Sequence, residues 1–306
     1  MPHVVLAAAT RASRLAAAED RWEAILAARL DMKPAIALQK RLLGLVVDLA
    51  DLINETPLPR LSLPPRYLAT KLERGTPALA GEPIPLPVSL LKPTLLQLCE
   101  ALAQGGAGEA ADHIRALVDE GQMDASSLLT ASVSRDQAAI RTGAVHRGLS
   151  PDLLWLVAEL AASPFVHALQ HTLFGSDDER LRTALDRWNH GYCAACGSWP
   201  ALAEVVSGHR VLHCSFCAFA WELTTYACVY CGEDGERFVT AAPDPERKGR
   251  RVEVCASCGS YLKTVDMPAL SPFPLLAITD METMDLDVAT MEHGYSRPSL
   301  KDFARR

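Results

Sequence analysis

Apart from a proline-rich stretch, apolar residues recur at helical spacing from Leu15 to about Asn189 and then stop doing so. Leu15, Trp22, Ile25, Leu26 and Leu30 follow a 3.6-residue period. Between positions 36 and 53 two neighbouring stripes run side by side, Leu38/Leu42/Leu45/Leu49/Leu52 and Ile36/Leu43/Val46/Ile53. So wide an apolar face predicts a helix largely buried by its neighbours, and Pro34 suits its first turn. A proline-rich segment follows at 57–93. Each proline fixes φ and removes a donor, so this stretch is expected to be irregular, packed chain rather than continuous helix. A polyproline ligand for a partner is the sharper and less favoured reading. Helical patterns resume at 94–103, 108–120, 125–132, 136–145, 150–170 and 176–189. Ser150 followed by Pro151 and Asp152 reads as a cap, a first-turn proline and an acid at the positive helix end.

At His190 and Gly191 the character changes, and short β-like pieces alternate with cysteine pairs. The expected architecture is α+β: a helical domain at 1–190, a first four-cysteine ribbon at 191–225, a second at 226–265, and a C-terminal tail with a short helix at 266–306. Length agrees with this, since 306 residues suit one large or two ordinary domains.

The cysteines carry the chemistry. Eight of nine form Cys-x-x-Cys pairs: Cys193/Cys196, Cys214/Cys217, Cys228/Cys231 and Cys255/Cys258. Two intervening residues let both sulfurs face one ion across a tight turn, and four thiolates suit tetrahedral zinc or iron. Gly197, Gly232 and Gly259 each follow the second cysteine of a pair, where a positive φ turns backbone N–H groups toward sulfur. The remaining pair has Ala218 instead. Residues 203–206 and 210–213 read as one hairpin, and 237–240 and 251–254 as another. Each hairpin joins two consecutive pairs. One ion is therefore expected on Cys193, Cys196, Cys214 and Cys217, and a second on Cys228, Cys231, Cys255 and Cys258. An interleaved cross-brace is the rival arrangement. His213, beside Cys214, reads as a supporting or surface residue rather than a ligand, and Cys99 as a core residue. Trp199, Trp221 and Tyr261 read as ribbon packing, because small ribbons have little other core.

A thioredoxin-like dithiol would need a reactive cysteine opening a helix after a strand, and no such pattern is present. Four thiolates per ion leave no open position for water, and no nucleophile, base or phosphate-binding glycine loop is visible. An enzyme is therefore not expected, apart from a redox role if the ions are iron. The formal net charge of −7 argues against nucleic-acid and anionic-membrane partners. Residues 191–265 carry eight acids and seven bases, so the ribbons are not a basic surface either. Arg247, Lys248, Arg250 and Arg251 form a local basic cluster that a nucleic-acid-binding ribbon protein would use. No unbroken apolar run reaches the ~18 residues of a membrane span, and the N-terminus lacks a basic lead-in to its apolar run, so a cytoplasmic protein is expected.

The residues around the cysteines are more specific than the cysteines. CAACGSWP from Cys193, RVLHCSFC from Arg210, Trp221, CVYC from Cys228 and EVCASCGSYLK from Glu253 resemble the formate dehydrogenase accessory protein family, FdhE. DMETMDLD from Asp280 and GYSR from Gly294 resemble that family's C-terminal segment. Thr225 stands where the family usually has arginine, and Thr279 where it usually has the first of two aspartates. The resemblance implies a cytoplasmic maturation factor with two rubredoxin-like centres, iron-binding, self-associating, and contacting the catalytic subunit of formate dehydrogenase. A rubredoxin-like electron-transfer component is a further alternative. The acids Asp280, Asp285 and Asp287 are expected either to meet a partner or to face solvent.

Overall fold

The computed structural model describes residues 3–4, 10–57, 61–242, 249–298 and 300. The chain forms two compact units that do not follow its linear order. One comprises Thr10–Ser62 and Gly81–Thr172; the other comprises Met1–Ala9, Leu63–Ala80 and Leu173–Arg306. In chain order the helices are α1 (Arg11–Ala28), α2 (Lys33–Glu55), α3 (Pro65–Glu73), α4 (Val88–Leu102), α5 (Gly108–Asp119), α6 (Ala125–Val133), α7 (Gln137–His146), α8 (Pro151–Phe174), α9 (Glu179–Asp186), α10 (Leu276–Glu282) and α11 (Met284–Glu292). The strands are β1 (His3–Val4), β2 (Pro200–Val206), β3 (His209–Cys214), β4 (Ala220–Trp221), β5 (Phe238–Ala241), β6 (Arg250–Cys255) and β7 (Ser260–Asp266).

The first unit is helical. Of the two stripes on α2, the one bearing Ile36, Leu43, Val46 and Ile53 is buried, whereas Leu52 stays 45% exposed. On α1 the inward face is Arg14, Ala18 and Trp22, and Leu30 beyond it is exposed. Asp124 and Asp136 cap α6 and α7 through their carboxylates, satisfying first-turn N–H groups as such caps do. Ser150 accepts from the N–H of Leu153 at 3.4 Å, in the way its sequence context suggests. Cys99 lies fully buried on α4, where burial pushes its thiol up to about 12. Among the described residues α8 is long and apolar enough to cross a membrane, with mean hydropathy 1.3 over its best window. Glu159 interrupts its apolar run, and that carboxylate pairs with Arg135. Over half of the window is buried within the structure, as for a core helix.

The proline-rich segment is also more regular than expected. Pro64 and Pro65 open α3, where a missing N–H costs nothing in the first turn, and α4 carries Pro93 in its interior, one turn from its start.

The second unit is built on a seven-stranded sheet of order β1-β4-β3-β2-β7-β6-β5. Both expected hairpins are present, β2–β3 and β5–β6, each antiparallel. The first turns at Ser207 and Gly208, both at positive φ. Strand β7 extends the second hairpin through an antiparallel ladder with β6. It then pairs in parallel with β2, from Ala203↔Thr264 to Val205↔Asp266, and fuses the two ribbons into one sheet. Helices α10 and α11 follow, in place of the one short tail helix expected. Leu286 of α11 packs with Val252, Val254 and Tyr261.

Candidate metal centres

Each Cys-x-x-Cys pair sits on a tight backbone loop. The N–H groups of Gly197, Gly232 and Gly259 donate to the carbonyls of Cys193, Cys228 and Cys255, each at 2.9 Å. These glycines adopt φ of 81°, 81° and 67°. Ala218 takes the same left-handed conformation at φ 55°, so the fourth loop keeps the geometry although its Cβ makes it unfavourable.

The loops converge in sequential pairs, not as a cross-brace. The sulfurs of Cys193, Cys196, Cys214 and Cys217 lie within 4.8 Å of one another, and so do those of Cys228, Cys231, Cys255 and Cys258. Cys196 and Cys214 approach to 3.4 Å, Cys193 and Cys217 to 3.6 Å. In the second set Cys228 and Cys258 are 3.7 Å apart, and Cys231 and Cys255 3.6 Å. A tetrahedron with metal–sulfur bonds of ~2.3 Å places its sulfurs about 3.8 Å apart, so both sets have the dimensions to hold an ion. Backbone N–H groups are aimed at the sulfurs: Ala195 at Cys193 (3.3 Å), and Phe216 and Cys217 at Cys214 (3.4 Å). Burial raises the thiols of Cys193 and Cys217 well above their ordinary value. They are protonated at neutral pH without an ion, and ligation would release those protons.

The surroundings of the first centre come from distant parts of the chain. The backbone N–H groups of Ala78 and Leu79 donate to the carbonyls of Ala194 and Ala195, inside the first pair, at 2.8 and 2.9 Å. Buried Lys71 donates to the carbonyls of Ala78 and Ala80, and the Tyr192 hydroxyl to that of Gly75. Residues 75–80 thus form a strap over this knuckle. Trp221 is 1% exposed and its indole N–H donates to the carbonyl of His190. His213 is fully buried rather than at the surface, with Nε2 3.1 Å from a Glu204 carboxylate oxygen, and Ser271 donates to the same carboxylate. The two centres meet through Trp199 and Tyr230, whose rings lie edge to face at 5.2 Å. Gly191 supports the same junction: a Cβ there would fall 1.7 Å from the carbonyl oxygen of Val229.

A side-chain cluster beside the second ribbon went unread in the sequence. Lys263, fully buried, places Nζ 2.7 Å from Asp280 and 2.6 Å from Asp287. Arg297 reaches both acids at 3.1 and 3.0 Å, and the Tyr261 hydroxyl donates to Asp287 at 2.7 Å. Asp280 and Asp287 therefore pair with a buried lysine while Asp280 keeps 42% of its side chain in solvent and Asp287 21%. Apolar and polar residues do not alternate along β7 (SYLKTVD), so the local pattern gives no sign that Lys263 is buried. The basic cluster is likewise engaged where it is described. Arg251 pairs with Asp266, and Arg250 donates to the carbonyl of Glu282; Arg247 and Lys248 lie outside the described residues.

Comparison with known proteins agrees with the motifs. No family model matches the chain. The FdhE homolog of Pectobacterium carotovorum is 32% identical over 116 residues, 37% of each chain. That of Haemophilus influenzae is 32% identical over 120 residues, 38% of this chain and 39% of the relative. That of Aquifex aeolicus is 26% identical over 159 residues, 49% of this chain and 52% of the relative. This chain resembles the FdhE proteins. The match spans little more than a third to a half of the length of these FdhE relatives. The fold is similar over nearly its whole length to the crystal structure of the FdhE protein from Pseudomonas aeruginosa, with a TM-score of 0.59 at 24% identity, covering 98% of this chain and 97% of that one.

Proposed function

We propose that this chain is an accessory factor in the assembly or activation of formate dehydrogenase and that it binds the catalytic subunit of that enzyme. The observation that carries the reading is the likeness to FdhE proteins in a chain with two sequentially paired four-cysteine sets. The eight cysteines are its metal ligands in this reading, and the protein works as a cytoplasmic, self-associating binding factor rather than as a catalyst. In this reading 1–190 is the mainly helical part, 191–225 and 226–265 are the two metal-bearing ribbons, and 266–306 is the C-terminal tail, whose α11 packs on the second ribbon. Bound iron would supply a one-electron couple, and zinc a structural cross-link; four thiolates accept either.

The chain's own residues do the positioning. Backbone N–H groups at the knuckles stabilise thiolate charge, and the continuous sheet keeps both centres at a fixed separation. Neither set leaves a protein-defined open position, which supports a structural or electron-carrying role over hydrolysis. The test is co-purification. Tagged full-length protein, prepared with and without oxygen, should retain the formate dehydrogenase catalytic subunit and contain two metal ions per chain. Failure to retain that subunit under both conditions would remove the proposal.

A further inference from the structure

The two four-cysteine sets have the same ligands and different access. Every cysteine of the first set is buried, none more than 4% exposed. In the second set Cys228 and Cys255 are buried, while Cys231 and Cys258 are exposed. Each exposed cysteine is the second of its pair, one from each knuckle. Any two vertices of a tetrahedron share an edge, so one sulfur–sulfur edge of this centre faces solvent.

That edge has its own fittings. Glu233 follows Cys231 by two positions, and its carboxylate accepts from the Ser257 hydroxyl at 2.8 Å. Ser257 lies inside the Cys255–Cys258 knuckle, so this hydrogen bond ties one exposed loop to the other. The backbone of Glu233 is fixed as well, because its carbonyl accepts from the N–H of Cys228 at 2.8 Å. Asp234 and Glu236 continue the loop and are exposed. Carboxylates beside a solvent-facing thiolate edge raise the local concentration of cations and repel anions.

From this geometry we infer that the second centre is an exchangeable site for a thiophilic divalent cation, zinc or ferrous iron. The ion enters and leaves across the Cys231/Cys258 edge, with the Glu233–Ser257 hydrogen bond as a clasp that sets the rate. The first centre releases its ion far more slowly. The inference rests on the reading of both sets as metal centres. Exchange is ligand substitution: a metal–sulfur bond breaks as a bond to the incoming ligand forms, the freed thiolate takes a proton from water, and no electrons move. An incoming ligand or proton must reach a sulfur or the ion, and four buried sulfurs under a backbone strap offer no approach.

The test uses the full chain loaded with two zinc equivalents, mixed with excess pyridylazoresorcinol, whose colour reports released zinc. Two phases of one equivalent each are expected, separated by at least about tenfold in rate. Ser257→Ala and Glu233→Gln remove the clasp from its two sides. Each should speed the fast phase by roughly 3- to 10-fold, the worth of one hydrogen bond, and leave the slow phase unchanged. N-ethylmaleimide followed by peptide mass analysis should label Cys231 and Cys258 of the loaded protein before any other pair cysteine. Release of both ions in one phase, or first labelling within Cys193, Cys196, Cys214 and Cys217, overturns the inference. So does a fast phase indifferent to both clasp variants. A chain that takes up no zinc at all instead overturns the metal-centre reading beneath it.

Discussion

The two ribbons share a ligand set, a hairpin and a sheet, yet one centre is enclosed and the other has an open edge. The difference does not lie in the cysteines. Residues 75–80 hydrogen-bond across the first knuckle, and buried Trp221 is tied by its indole to the chain just before it. Nothing equivalent covers Cys231 and Cys258 among the described residues; the second ribbon is instead braced from behind by α11 and the Lys263 cluster. Identical chemistry thus becomes core in one place and surface in another, according to which remote segments pack on it.

The largest expected effect tests whether the first centre is core. Serine at both Cys193 and Cys196 should remove one ion per chain and unfold the sheet, because ion binding at a structural site contributes on the order of 10 kcal/mol to folding. Serine at Cys228 and Cys231 should also remove one ion but leave β2 and β3 protected. Metal analysis with hydrogen exchange distinguishes these outcomes, and equal loss of protection in both variants would break the contrast. Next, Trp221→Ala should cost about 4 kcal/mol in urea unfolding, from a fully buried aromatic beside the first ribbon.

On the other side, Lys263→Met should cost about 3 kcal/mol, since it strands Asp280 and Asp287 opposite a single remaining arginine. The same cluster has a pH signature. Burial raises the Asp280 carboxyl, but Lys263 and Arg297 outweigh it and hold the group below its ordinary value. A carboxyl lowered in the folded state stabilises the fold above its unfolded pKa, and that contribution is lost as pH falls through the folded value. The urea midpoint should therefore drop on acidification below the ordinary carboxylate range, and Asp280→Asn should flatten part of that drop. The smallest effect refines the comparison of loops. Ala218→Gly should stabilise by about 0.5 kcal/mol, relief of left-handed strain being partly offset by glycine's backbone entropy. A thermal melt showing destabilisation would mean that the Ala218 methyl packs usefully.

Much of this was legible locally. Cys-x-x-Cys spacing, the glycines after three pairs and the hairpin patterns all lie within a few residues of one another, so short-range geometry decides them. Helices α5 to α8 begin close to where periodicity and capping residues placed them. The missed features are long-range. Strand β7 reads weakly because its polar Lys263 and Thr264 are buried, which only the acids of α10 and α11 and the carboxylate of Glu253 make tolerable. The pairing of Asp280 and Asp287 with Lys263 was not readable locally, because the lysine is 17 and 24 positions away.

By itself, then, the sequence determined the four cysteine pairs as candidate ligands, the hairpins that join them and the family likeness, since each is written in side chains close together along the chain. Tertiary structure decided that β2 and β7 join the ribbons into one sheet, that the strap at 75–80 seals one centre, and that Cys231 and Cys258 stay open. Those outcomes depend on which surfaces remain uncovered after remote segments pack, and exposure is a property of the assembled fold rather than of any local spacing.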